Sequence, residues 1–267
     1  MDVLAAVLLA LAGLLAGFLA GAFGIGGGIV FVPVLLYYLH ATGVSSLVAT
    51  HIAIGTSLLA VMCSSGAQAW GYWRANQVIW RGVLLIALAG VVGAFLGASI
   101  AAGLEGPSLR KIFGFVLLVA VARLFSGKRK QGKESEPNLA LQPLLATGLL
   151  VGLLSSLSGV GGALIAVPLL YSYIRFPLKK AFGTSSAAVV ITAAAGAAAY
   201  LIRGWGNEFL PPGMPGFIDW QAAIPLILGS VPGVMLGTRY SARADSGPLR
   251  NIYAVILLVV MLRMFFF

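Results

Sequence analysis

The chain has 267 residues, 60% hydrophobic and only 9% charged, with a mean hydropathy of +1.02. Soluble domains carry about 25% charged and about 45–50% apolar residues, so a soluble enzyme, a secreted disulfide scaffold and a disordered tail are excluded. The formal net charge of +10 fits basic loops facing a cytoplasm; no basic stretch is interleaved with stacking aromatics, which argues against nucleic acid as a partner. A spanning helix takes about 20 apolar residues, and the composition therefore predicts an all-α polytopic membrane protein in a lipid bilayer. The single Cys63 permits no intrachain disulfide and no thiolate metal cluster, and neither a metal nor a cofactor is expected.

The first apolar run, residues 1–21, carries Asp2 and no basic leader; it reads as a retained span rather than a signal peptide. Further runs follow at about 29–39, 46–72, 79–102 and 108–126. The polar stretch 127–138 holds Lys128, Arg129, Lys130, Lys133, Glu134 and Glu136 and reads as an exposed cytoplasmic linker. Apolar runs resume at about 140–158, 163–174, 180–203, 218–241 and 248–267. The expected organisation is about ten transmembrane segments, two of them short or re-entrant. A first repeat covers 1–126, a linker 127–139 and a second repeat 140–267.

The two halves match in sequence. Gly24–Pro33 (GIGGGIVFVP) matches Gly159–Pro168 (GVGGALIAVP) at an offset of 135 residues. Ala53–Ser57 (AIGTS) matches Ala181–Ser185 (AFGTS) at 128, which also places Tyr72 on Tyr200. Gly93-x-x-x-Gly97, Leu109-Arg110 and Arg123 match Gly233-x-x-x-Gly237, Leu249-Arg250 and Arg263 at 140. Three collinear matches mark an internal duplication. Five segments per half is an odd number, so the halves would insert in opposite senses. With the N-terminus outside and all ten segments crossing, thirteen of the 17 basic residues fall at cytoplasmic ends, against Arg110, Lys111, Arg203 and Arg263 outside. That split obeys the positive-inside rule and places both termini on the non-cytoplasmic side, which for a bacterial inner membrane is the periplasm. Inverted repeats of this kind typify secondary transporters.

The glycine-rich turns are the strongest local signal. Each precedes a short segment of about 10–12 residues interrupted by Pro33 or Pro168, the pattern that points to a transporter's binding site. Glycines let a backbone approach a ligand, and N–H groups at a helix start favour an anion. The backbone of Gly26, Gly27 and Gly28 and of Gly161, Gly162 and Ala163 is the candidate contact, with close helix packing as the competing role. The repeated Thr56-Ser57 and Thr184-Ser185 pairs supply hydroxyls within long apolar runs, as solute donors or as backbone-bonded membrane serines and threonines. Ser155, Ser156 and Ser158 precede the second turn and belong to the same polar patch. His51 and Gln68 are the most polar side chains of the third run, and His51 suits an anion or a proton; equally it can sit in water at its helix end. His40 reads as surface. The seven acids fall at predicted ends or loops, which leaves a site suited to an anion rather than a cation, and no catalytic set for hydrolysis.

These residues resemble the TauE/SafE sulfite-exporter family: the duplicated Gly-rich turn followed by apolar-Val-Pro, the Gly-Thr-Ser motif some 22–30 residues later, and the Leu-Arg start of each half's last helix. The resemblance covers essentially the whole chain. It implies a permease moving small sulfur-containing or organic anions such as sulfite, sulfoacetate, other sulfonates or thiosulfate, with export from a bacterial cytoplasm as the direction. The family is diverse in substrate, so the resemblance does not select the solute. Gly28 stands where the second turn has Ala163, and His51 where the second half has Lys179, so the halves are not equivalent. The expected protein is a secondary transporter working by alternating access around the two turns, without enzymatic activity. A passive anion channel and a non-transporting membrane scaffold or assembly protein are the alternatives. Small-residue helix faces allow either a homodimer or packing within one chain.

Overall fold

The computed structural model describes residues 2–24, 26–109, 111–112, 114–115 and 139–241, which form helices and turns and no strand. Eight helices are defined: α1 (Val3–Phe23), α2 (Gly28–Ala41), α3 (Ser46–Arg74), α4 (Trp80–Ala102), α5 (Leu141–Ser158), α6 (Ala163–Ser172), α7 (Leu178–Gly204) and α8 (Trp220–Ser241). Residues 106–109 form a further helical turn. Six of the eight, all but α2 and α6, are long and apolar enough to cross a membrane. The fifth run of each half and the linker lie almost wholly outside the described residues. Among the described residues the protein is thus all-helical with six spanning candidates.

The expected boundaries of these eight elements agree with the structure to within a few residues, because Gly, Pro and charged residues flank each apolar run. The one clear difference in length is α2, which reaches 14 residues where about 10–12 were expected. At about 1.5 Å per residue it spans roughly 21 Å, and the 10-residue α6 roughly 15 Å. Both are shorter than a hydrocarbon core of about 30 Å. Pro33 and Pro168 lie inside them, where each ring removes a donor and obstructs the carbonyl one turn earlier.

Apolar burial cannot choose partners between helices that are all surrounded by lipid, so close backbone approach takes that role. Gly13, Gly17 and Gly21 of α1 face the backbone of Leu226, Ser230 and Val234, and Gly229, Gly233 and Gly237 of α8 face Ala10, Leu14 and Phe18. The two helices therefore run parallel, each offering a row of glycines to the other. An equivalent seam joins α4 to α5, with Gly90, Gly93 and Gly97 set against Gly148, Leu149 and Leu153. Between these pairs lie α3 and α7, which run antiparallel: Gly55 approaches Tyr200, Gly66 approaches Val190 and Gly183 approaches Tyr72. Thr56 of α3 lies at the start of α8 and Gln68 at the end of α1. Accordingly α1, α3 and α8 point one way and α4, α5 and α7 the other.

The outer faces carry exposed Leu4, Leu8, Leu11 and Leu15 on α1 and Leu84, Leu88 and Val92 on α4, surfaces suited to lipid rather than water. All five tryptophans are exposed. Trp70, Trp73 and Trp80 cluster where α3 passes to α4, while Trp205 and Trp220 flank the α7–α8 connection at the opposite end. Two such belts mark two membrane interfaces.

Replacing a seam glycine tests this packing. A Cβ on Gly152 would overlap the carbonyl of Gly90, and overpacking costs about 1–3 kcal/mol or more when backbone must move. Gly152→Val is expected to lower the thermal midpoint sharply in detergent, whereas Gly71→Ala, at a position with open space around it, is expected to leave it within about a degree or two.

Candidate functional site

Helix α1 ends at Gly24 (φ 68°), whose N–H donates to the Ala20 carbonyl at 2.8 Å, and α5 ends at Gly159 (φ 70°), whose N–H donates to the Ser155 carbonyl at 2.7 Å. Both caps need the left-handed conformation that glycine adopts freely. The turns repeat at Gly26 (φ 81°) and Gly161 (φ 84°), then diverge: Gly162 is left-handed at 66°, while Gly27 is right-handed at −76°. The two turns touch. A Cβ on Gly26 would lie 3.1 Å from the Val160 carbonyl oxygen and 3.8 Å from the Ala163 Cβ, and one on Gly28 would overlap the Gly159 carbonyl. Close packing is therefore one reason for these glycines. Among the described residues the N–H groups of Gly26, Gly27, Gly28, Gly161 and Gly162 meet no acceptor, whereas that of Ala163 donates to the Gly161 carbonyl at 2.7 Å. Neither α2 nor α6 has a side-chain N-cap.

The threonines of the repeated motif hold the opposite half. Thr56 Oγ1 accepts the N–H of Asp219 at 2.9 Å, and Thr184 Oγ1 accepts the N–H of Ile79 at 3.0 Å. Asp219 and Ile79 are counterparts that directly precede α8 and α4, so each bond ties one half's central helix to the other half's next span. Each hydroxyl keeps a proton of its own to donate. The neighbouring serines differ: Ser57 Oγ donates to the Gly159 carbonyl at 2.8 Å, whereas the buried Ser185 Oγ has no partner among the described residues.

Gln68 donates from Nε2 to the Ala20 carbonyl at 3.4 Å and accepts the Ser186 hydroxyl at Oε1, 3.0 Å away, linking α1, α3 and α7. His51 is buried rather than in water at its helix end: its Nε2–H donates to the Ala101 carbonyl at 3.0 Å and its ring packs on Phe217 with centroids 5.1 Å apart. Its contacts thus run to α4 and to the approach to α8, and its Nδ1 is buried without a partner among the described residues. His40 is exposed, as expected.

Asp219 stands at a helix end, as expected, and is only 4% exposed, with Oδ1 accepting the Ala222 N–H at 3.0 Å. An Asp directly before an apolar run is a helix-start signal; what hid its burial was the packing of the α7–α8 connection around it. Two further hydroxyls, Ser155 Oγ and Ser156 Oγ, are buried without partners among the described residues, while the Ser156 carbonyl accepts the Tyr200 hydroxyl at 2.8 Å. Among the described residues no cluster of His, Cys, Asp and Glu is placed to hold a metal.

Removing either threonine hydroxyl strands a backbone N–H, at about 1–3 kcal/mol for a buried donor. Thr56→Val and Thr184→Val are each expected to lower the thermal midpoint, and Thr56→Ser and Thr184→Ser to recover most of it; valine variants as stable as the parent would contradict these bonds.

Residues 9–264 match the family described as "Sulfite exporter TauE/SafE". A probable membrane transporter protein of Haemophilus influenzae is 28% identical over 96% of this chain and 96% of its own length. One of Xylella fastidiosa is 30% identical over 92% and 89%, and one of Methanocaldococcus jannaschii 27% identical over 96% and 95%. No solved structure matches the chain. A multi-pass bundle of apolar helices, a duplicated pair of touching glycine turns and a family match over nearly the whole length converge: the chain belongs to the TauE/SafE sulfite exporter family of membrane transporters.

Proposed function

We propose that the protein is a secondary transporter that exports a small sulfur-containing anion, of the sulfite or sulfonate class, from a bacterial cytoplasm. The observation that carries this reading is the meeting of the two glycine turns at the starts of α2 and α6, where N–H groups without acceptors among the described residues lie beside buried hydroxyls. Such a site offers donors and the positive ends of helix dipoles to an anion. The site would be bounded by the two turns, Gly26, Gly27 and Gly28 on one side and Gly161 and Gly162 on the other. Ser57 and Ser185 lie one turn along α3 and α7 from the cross-half threonine bonds.

Alternating access needs two units that rock against each other around a fixed site. The opposite directions of α1 and α5, of α3 and α7, and of α4 and α8 support an arrangement of inverted repeats. Thr56 and Thr184 would then transmit motion, since each bonds the helix entry of the other half. The charges support an orientation as well. Arg74, Arg81, Arg175, Lys179, Lys180 and Arg239 gather at the end where α3 meets α4; Asp2, Glu105, Glu208 and Asp219 lie at the other end, with Lys111 and Arg203. By the positive-inside rule the first end is cytoplasmic, which puts the N-terminus in the periplasm.

Two measurements test the reading. Purified protein is expected to be stabilised by millimolar sulfite, sulfoacetate or thiosulfate and not by choline; a ligand at 100 times its Kd contributes about 2.7 kcal/mol, a visible rise in midpoint. A flat response across the panel counts against an anion site. For orientation, Arg203→Cys in a Cys63→Ala background is expected to react with a membrane-impermeant maleimide on intact cells, and Lys179→Cys only after permeabilisation. The reverse pattern would invert the assigned topology.

A further inference from the structure

The two halves use corresponding residues in corresponding contacts, so the places where the correspondence breaks are informative. Gly24 lies against Phe182 and its counterpart Gly159 against Ile54, itself the counterpart of Phe182. The threonine bonds match as well, at 2.9 and 3.0 Å. Around the turns themselves the match fails in three ways. The ring of Phe31, fully buried, covers Gly27 in the first half, where the second half has Ala166. Ser155 and Ser156 occupy the positions of Ala20 and Gly21, and both hydroxyls are buried without partners among the described residues. Ser185 also lacks a partner, although Ser57, its counterpart, donates to Gly159.

Hydrocarbon lies against both turns, Phe31 on Gly27 and Val61 and Val151 on Gly161 and Gly162. What differs is the hydroxyl beside the turn, since Ser155 has no counterpart hydroxyl at Ala20, and the one such unpartnered hydroxyl of the first half among the described residues, Thr50 Oγ1, lies away from the turn, beside Gly106. Gly162, the residue before α6, is flanked by Val151 and Ser155; the Ser155 Cβ lies 3.5 Å from the position a Gly162 Cβ would take. Ser155 is 1% exposed. A buried hydroxyl without a partner bears a desolvation penalty that a ligand can relieve, and here it stands beside the two left-handed glycines whose N–H groups meet no acceptor among the described residues. We infer that the anion is held at the second turn only, by the N–H groups of Gly161 and Gly162 together with the Ser155 hydroxyl, and that the first turn serves as its packing wall. Three neighbouring donors suit an oxyanion with three terminal oxygens, such as a sulfonate or sulfite, better than a planar carboxylate. This inference rests on the anion-transport reading, and it makes Ser155 a specificity-determining residue.

The test compares wild type with Ser155→Ala and with Ser155→Cys, which keeps a side chain of similar size and a weaker donor. Each is assayed for midpoint shift and for KM in proteoliposome flux, with sulfite, sulfoacetate and acetate as probes. The expected result is an unchanged or raised ligand-free midpoint, a KM at least tenfold higher for sulfoacetate or sulfite, and a loss of preference over acetate. A variant that keeps the wild-type KM and preference overturns the assignment of Ser155 while leaving the transport reading intact. A fall in the ligand-free midpoint of both variants, in proportion to the lost shift, assigns Ser155 to packing and overturns it too. Absence of any shift or flux in wild type overturns the transport reading itself, and this inference with it.

Discussion

Backbone-to-backbone approach at glycine is the constraint on which this structure depends. In water, helices find each other by withdrawing apolar surface from solvent; between lipid chains that preference vanishes, and partner choice falls to surfaces that fit most closely. Here the rows Gly13, Gly17, Gly21 and Gly229, Gly233, Gly237 knit α1 to α8, and Gly90, Gly93, Gly97 with Gly148 and Gly152 knit α4 to α5. Each seam joins a helix of one half to a helix of the other.

The same economy of volume governs the centre. The two glycine turns can touch only because no Cβ intervenes, and contact between them brings together two helix starts without side-chain caps. In a hydrocarbon setting, stranded backbone polar groups are expensive, and the fold satisfies those it can from across the interface between halves: Thr56 accepts from the Asp219 N–H, Thr184 accepts from the Ile79 N–H, and Ser57 donates to the Gly159 carbonyl. Polar side chains in this interior thus divide into those that join the halves and those, such as Ser155 and Ser185, left with capacity to spare. Near-symmetry makes the division visible, because a counterpart stands ready for each comparison.

Much of the fold was legible in the sequence for a physical reason: a membrane helix must be apolar for most of its length, and its ends must carry whatever cannot enter lipid. The boundaries of α3, α4 and α7 follow from Ser45, Arg74, Trp80, Gly103, Pro177 and Gly204 alone. The duplicated GIGGG and GVGGA turns and the two GTS motifs likewise pointed to the residues that meet at the centre. What the motifs concealed was the direction of each hydroxyl. Thr56 and Ser57 are adjacent in sequence and about 100° apart around a helix, so one faces the approach to α8 and the other the second turn. No periodicity distinguishes those fates without the neighbouring helices in place.

His51, Gln68 and Asp219 make the same point from the polar side. Each is recognisable as unusual in an apolar run or at its edge, yet its partners, Ala101 and Phe217, Ala20 and Ser186, Ala222 and Thr56, come mostly from distant stretches of chain. The sequence by itself determined the solvent this protein lives in, the positions of its described helices and its family, because composition, apolar length and repeated motifs are local quantities. Only the tertiary structure decided which glycines face which backbone, which hydroxyls are already bonded and which glycine Phe31 covers, because those depend on packing between segments far apart in the chain.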